Sequence, residues 1–312
     1  MRKVYLNHDG GVDDLVSLYL LLQMDQVELI GVGVIPADCY LLPAVSASQK
    51  IIQRFSKRLD LKVAASNSRG LNPFPTEWRM HAYYVDALPV LNEDLPLKVG
   101  LSNLPAHQDL IRALKESDQK VDLVFVGPLT DLARALDQAP EIETKINKLI
   151  WMGGTFLADG NVHESDHDGS AEWNAYWDPQ ATKRVWNSSI EIDLVALEST
   201  NKVPLTIDIR EGWAKQRSYI GMDFLGQCYA MVPPLVHFAT NSTYYLWDVL
   251  TTLTLVNDSM IQKKVVYSTV HDQGPSQGRT QVDPQGRPVN LVYDVDHDTF
   301  FQGIEHLAKK SY

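Results

Sequence analysis

The stretch Leu6-Asn7-His8-Asp9-Gly10-Gly11-Val12-Asp13-Asp14 decides how this chain is read. It follows a short apolar run, Lys3–Leu6, and leads into an amphipathic pattern over about residues 13–24. A strand, a Gly-Gly turn and a helix in that order put the aspartates at the carboxyl end of a first strand. Ligand sites in open α/β sheets form at that edge, and glycine lets the backbone turn tightly there. Three carboxylates within six residues repel one another unless something positive lies between them. A hard divalent cation is the obvious neutraliser, since Ca²⁺ takes about six to eight oxygen ligands. The plainer alternative is that Asp13 and Asp14 start a helix and sit well in its N-terminal dipole. That accounts for one aspartate more easily than for three.

Outward from this stretch, short runs rich in Val, Ile and Leu alternate with helical patterns. Lys3–Leu6, Val27–Val34, Lys62–Ala65, Val121–Val126 and Lys148–Met152 read as strands covered on both faces. Helices are expected near 13–24, 43–57, 105–116, 129–138 and 178–187, with Pro179 in the first turn of the last. The alternation predicts an α/β fold: an open, mostly parallel, mixed central sheet flanked by helices. The part after residue 200 reads as mostly helical, and His271–Pro288 as a loop or hairpin. No linker or repeat interrupts the pattern, so one domain over 1–312 is expected.

The net charge of −11 disfavours sequence-independent binding to nucleic acid or to an anionic membrane. Two cysteines, Cys39 and Cys228, imply no disulfide framework and fit a reducing cytoplasm. The apolar run at the N-terminus is too short for a signal-peptide core, and no stretch approaches a bilayer span. A small-molecule partner is expected.

Asn-His-Asp-Gly-Gly-Val-Asp-Asp resembles the aspartate-rich N-terminal fingerprint of the nucleoside hydrolase family, most nearly its inosine–adenosine–guanosine-preferring branch. The likeness continues through Pro36–Tyr40, Asn72–Arg79, Gly127-Pro128-Leu129, Trp151–Gly154, Ala171–Pro179 and Tyr244–Asp248. It implies a Rossmann-like nucleoside hydrolase fold, one Ca²⁺ per subunit, a homodimer, and hydrolysis of the N-glycosidic bond of ribonucleosides through an oxocarbenium-like transition state, with purines preferred.

By resemblance, Asp9 is general base and metal ligand. Asp14, Asp248 and the Val126 carbonyl complete the metal set. Asp13, Asn161, Glu172 and Asn174 face the ribose hydroxyls, and Met152, Trp173 and Tyr244 also line the substrate. Asp38, Trp78 and Trp247 face the base. Stacking suits a large flat base and any positive charge it gains on leaving. In the pyrimidine-tolerant branch a histidine precedes the late metal-binding aspartate; here Trp247 stands there. In an extended segment Glu172 and Asn174, two apart, would face one side. Each residue has a plainer reading. Asn161 could be a turn residue, the tryptophans core aromatics, and Asp248 a helix-surface carboxylate.

Three positions bear on specificity. Gly11 stands where purine-specific relatives carry Asn. Phe238–Thr243 lacks an expected Arg. Asp38 matches the purine branch, where other branches carry Asn. Asp294, Asp296, Asp298 and Glu305 only imitate an EF-hand spacing, because Thr299 replaces its glycine; Asp298 is expected to cap the last helix. His163 and His271 read as loop residues and His8 as a hydrogen-bonding neighbour of the metal site. Two other enzyme readings and one binding reading stand beside the purine nucleosidase. The first is a nucleoside hydrolase that is broad or accepts pyrimidines. The second is a haloacid dehalogenase-like phosphatase, whose nucleophilic aspartate would be Asn7. The third is a non-catalytic, calcium-dependent nucleoside-binding protein.

Overall fold

A computed structural model describes residues 1–232 and 244–310. Its strands are β1 Arg2–His8, β2 Val27–Val34, β3 Val63–Ala65, β4 Val121–Phe125, β5 Ile146–Met152, β6 Ile192–Val195, β7 Pro204–Leu205, β8 Tyr244–Tyr245, β9 Ile261–Val270, β10 Thr280–Val282 and β11 Arg287–Val295. Among the described residues, nine form one sheet in the order β10-β9-β11-β6-β5-β4-β1-β2-β3. From β3 to β11 neighbouring strands run parallel. Strands β9 and β11 pair antiparallel, as do β10 and β9. The expected mostly parallel, mixed α/β sheet is therefore present.

The five expected strands and five expected helices all form, with ends shifted by a residue or two. The helices span Val12–Gln23, Leu41–Phe55, Ala106–Glu116, Thr130–Gln138 and Pro179–Trp186. The last is capped by Asp178, whose carboxylate accepts the Ala181 N–H at 3.0 Å, and Pro179 opens it without forfeiting a hydrogen bond. The helix Val12–Gln23 is buried along almost its whole circumference, which is why its leading aspartates are buried too.

The later half differs from expectation. Strand β6 was not legible as a strand, and β9 and β11 stand where mostly helix was expected. Strand β9 lies near the sheet edge with many half-exposed or exposed residues, so its lysines and glutamine broke the apolar run. Its Val, Tyr, Ile and Thr content was the available signal. The His271–Pro288 piece does form a hairpin, with β10 inside it. Asp296, not Asp298, caps the last helix: its carboxylate accepts the Thr299 N–H at 2.7 Å. Asp294 pairs with Lys202 and Glu305 with Lys309, so no EF-hand-like cluster forms from them.

From β1 the chain steps outward to β2 and β3, then returns to place β4 on the other side of β1. Strand order reverses there, and in open α/β sheets the crevice outside the carboxyl ends at such a point binds ligands. Asp9 follows β1, Val126 follows β4, and Met152 ends β5.

Candidate active site

At that crevice lies a cavity of about 420 Å³. The turn that enters it depends on Gly10, whose φ is +91° and whose missing Cβ would lie 2.5 Å from Ala44 Cβ. Any other residue there would be both strained and blocked. Gly11 is extended and opens the helix. A side chain there would begin 2.6 Å from Asp14 Oδ2 and 2.9 Å from Asp38 Oδ2, so the glycine leaves room between two carboxylates.

Asp9, Asp13, Asp14 and Asp248 are each 2–5% exposed. Oxygens of Asp13, Asp14 and Asp248 lie within 4.8 Å of one another. Asp9 lines the same cavity but stands outside this trio. One of its oxygens, Oδ2, accepts the Asp38 N–H at 3.1 Å, and its own N–H donates to Asp14 Oδ1 at 3.0 Å. The tight cluster thus includes Asp13, which the resemblance gives to ribose, in place of Asp9, which it gives to the metal. Asp13 is held toward Asp248 by the Asp248 N–H, 3.1 Å from its Oδ2.

Burial pushes Asp13 up to about 7, with Asp14 adding to the effect and the Tyr244 and Asp248 donors opposing it. Asp9, Asp38 and Asp248 are likewise raised well above the usual carboxylate range, by burial first and then by neighbouring carboxylates. Among the described residues no lysine or arginine forms an ion pair with Asp9, Asp13, Asp14 or Asp248, and the Arg79 guanidinium opposes the rise only at Asp38. A buried set of carboxylates without a paired cationic side chain fits a hard divalent cation.

Glu172 and Asn174 also reach the cavity, but not from an extended segment. Glu172 is the N-cap of the helix Trp173–Trp177, and Asn174 lies in its first turn. The Glu172 carboxylate accepts N–H bonds from Gly154 and Asn174 at 2.9 Å and from Ala175 at 3.2 Å. The Asn174 amide donates to the Met152 carbonyl at 3.1 Å and to the Val126 carbonyl at 3.4 Å. Asn161 does more than turn the chain: its Oδ1 accepts the Trp173 N–H at 3.0 Å, and its carbonyl accepts Trp173 Nε1 at 3.1 Å.

Trp78 and Trp247 both line the cavity and are half-buried. Trp78 meets Trp173 edge to face at 5.4 Å, and Trp247 meets Tyr244 at 4.8 Å. All fourteen residues singled out from the sequence line this one cavity. It also holds three that were not: Phe74, His81 and Val232. Phe74 stacks on Trp173 at 5.0 Å, and its place in the Asn72–Arg79 block was the available hint. His81 begins the short helix His81–Asp86, and burial lowers its pKa. No local pattern marked it or Val232. The segment Phe238–Thr243 lies outside the described residues.

Asn7 donates its amide to Asp131 Oδ2 at 3.2 Å, so the position a phosphatase would need for its nucleophile is occupied by a buried structural amide. His8 sits against Ser48 Oγ at 3.1 Å and is held near 4 by burial. It is a neutral neighbour of the acidic cluster.

Residues 4–302 match the family described as inosine-uridine preferring nucleoside hydrolase. The crystal structure of an inosine-uridine preferring nucleoside hydrolase from Bacillus anthracis is 63% identical and covers 100% of both chains with a TM-score of 0.96. A pyrimidine-specific ribonucleoside hydrolase RihB from Escherichia coli is 25% identical over 100% of this chain and 98% of its own. A purine-preferring ribonucleoside hydrolase from Gardnerella vaginalis shares the fold at 23% identity, 99% coverage of each chain and a TM-score of 0.77. The acidic cluster at the switch point, the cavity beside it and this full-length match lead to one conclusion: the chain belongs to the inosine-uridine preferring nucleoside hydrolase family, hydrolases acting on N-glycosyl compounds.

Proposed function

We propose that the protein is a Ca²⁺-dependent ribonucleoside hydrolase that prefers purine nucleosides. The observation carrying this is that Trp78, Trp247 and the buried aspartates line one cavity. One end suits a cation and a polyhydroxyl sugar, and the aromatic walls suit a large flat base.

Asp9 is the general base, taking a proton from water as its oxygen attacks the anomeric carbon. The electrons of the breaking C–N bond go to the departing base, which takes up a proton from solvent, and Asp9 later returns its proton to solvent, giving ribose and free base. Asp14, Asp248 and the Val126 carbonyl would hold the cation, together with Asp9. Bound there, Ca²⁺ would supply Lewis-acid polarisation of water and of sugar hydroxyls. Asp13, Asn161, Glu172 and Asn174 grip the ribose, and Asp38 with the tryptophans receives the base. Because these polar groups await hydroxyls, a 2′-deoxy substrate leaves some unpaired and is rejected. The resemblance also brings one Ca²⁺ per subunit, a single domain, a homodimer and a cytoplasmic setting. Among the described residues no helix is long and apolar enough to cross a membrane.

A broader reading, in which uridine is cleaved as well, is favoured by the name of the Bacillus anthracis protein at 63% identity. Incubation with inosine, adenosine, guanosine, uridine and 2′-deoxyadenosine, with and without chelator, separates the two. Release of free base from purine ribonucleosides, abolished by chelator, is expected. Uridine cleaved as fast as inosine would replace the purine reading with the broad one. No release from any ribonucleoside would leave a nucleoside-binding protein.

A further inference from the structure

Asp131 is fully buried, yet neutral groups alone hold its carboxylate. The Ser66 and Ser68 hydroxyls donate to Oδ1 at 2.7 and 2.6 Å, and the Asn7 amide donates to Oδ2 at 3.2 Å. Arg134 reaches only the outer side of this group, donating to Ser68 Oγ at 2.6 Å. The Asn7 Oδ1 is buried without a partner. A fully buried carboxylate without an ion pair among the described residues needs a reason.

Its place gives one. Asp131 lies in the first turn of the helix Thr130–Gln138, just beyond the loop Val126–Leu129. Ser66 and Ser68 follow β3, and Asn7 lies in β1 two residues before Asp9. One carboxylate therefore joins the carboxyl ends of β1 and β3 to the segment leaving β4. Asn7 grips that segment twice, through its amide on Asp131 and through its carbonyl, which accepts the Val126 N–H at 3.0 Å. The loop in turn packs on the site: a Cβ on Gly127 would lie 3.1 Å from Asp9 Cγ. The loop thus carries the Val126 carbonyl and abuts the Asp9 side chain.

We infer that Asp131, acting through Asn7, is a positioning residue that sets the Val126 carbonyl and Asp9 against the Asp14–Asp248 pair. This rests on the proposed cation site. The geometry also dictates how to separate positioning from simple stability. Both serines use Oδ1 and Asn7 uses Oδ2, so an asparagine at 131 can keep the serines on its carbonyl and offer its amide to an aspartate at 7. Exchanging the two side chains keeps the pair's total charge and its three hydrogen bonds, with the bond between positions 7 and 131 reversed in direction. Asn7→Asp alone instead opposes two buried carboxylates.

The test measures Tb³⁺ binding by tryptophan-sensitised luminescence, Ca²⁺ binding by calorimetry, kcat on inosine, and melting temperature. Asp131→Ala and Asn7→Asp are expected to weaken cation binding about 10- to 100-fold, as loss of groups supporting metal ligands does. The combined Asn7→Asp/Asp131→Asn variant is expected to recover most of the affinity and of kcat. Loss in Asn7→Asp despite its added negative charge, with recovery in the exchange, supports positioning. Wild-type affinity in Asp131→Ala overturns it, and so does an exchange variant no better than Asn7→Asp. Should Asp131→Ala not fold, the comparison of Asn7→Asp with the exchange decides alone. Wild-type protein that binds neither ion removes the cation reading and this inference with it, whereas failure confined to the variants removes the inference only.

Discussion

Tyr244 donates its hydroxyl proton to Asp13 Oδ1 at 2.7 Å, across 231 residues of chain. The Asp248 N–H takes the other Asp13 oxygen at 3.1 Å. Together they bring the last carboxylate of the site to the first helix. Tyr244→Phe should lose a hydrogen bond to a charged group, an interaction contributing about 1.5–3 kcal/mol. Steady-state kinetics on inosine should show KM raised roughly 10-fold or more with kcat affected less. An unchanged KM would remove Tyr244 and Asp13 from the ribose-binding set.

Asp14 and Asp248 contribute oxygens to the trio that fits a cation. A ligand that binds only the folded state raises stability by mass action. Wild-type melting temperature should therefore rise with added Ca²⁺ and fall with chelator. Asp14→Asn and Asp248→Asn should each abolish that response. A full Ca²⁺-induced rise in either variant would assign the cation elsewhere.

Asp9 stands just outside the trio, with one oxygen committed to the Asp38 N–H. As the proton acceptor it should account for about 10²- to 10⁴-fold in rate. Asp9→Asn should fold normally and lose kcat by that factor, measured by release of hypoxanthine. Full activity in this variant would leave the reaction without its proposed base.

Trp247 occupies the position before Asp248, where the pyrimidine-tolerant branch has histidine. Trp247→His should lower kcat/KM for inosine and raise the uridine-to-inosine ratio. A ratio no different from wild type would show that base choice is made elsewhere in the cavity, His81 being the next residue to vary.

Burial raises Glu172 from its ordinary 4.5 to about 7, outweighing three backbone N–H donors. A carboxyl whose folded value lies above its unfolded value contributes fully below about 4.5 and loses that contribution as pH rises through about 7. The loss is on the order of 3 kcal/mol. Glu172→Gln cannot ionise, so the stability advantage of wild type over this variant should shrink between pH 5 and pH 8 in denaturant melts. A difference independent of pH would mean that Glu172 stays ionised, held by its three donors.

The first half of the sheet was legible because its signals are local. Strands β1 to β5 each hold a short apolar run, and the helices between them carry their own periodicity and end signals. β9 and β11 were not, because these partly exposed antiparallel strands mix Lys, Gln and Asn with Val and Tyr, and pairing partners decide their state. The extended reading of Glu172 and Asn174 failed for a related reason: Glu172 caps a helix that its own carboxylate helps to start.

By itself the sequence determined the strand–turn–helix that carries Asp9, Asp13 and Asp14, and the chemical types at the site, since both follow from neighbouring residues. Only the tertiary structure decided how these carboxylates are arranged. Asp13 stands close to Asp14 and Asp248 because Tyr244 and the Asp248 N–H orient it, while one Asp9 oxygen accepts the Asp38 N–H. It also brought His81 to the cavity wall and placed Asp131 beneath Asn7. Those contacts join segments far apart in the chain, and hydrogen bonds between distant segments set side-chain direction in a way that no local pattern records.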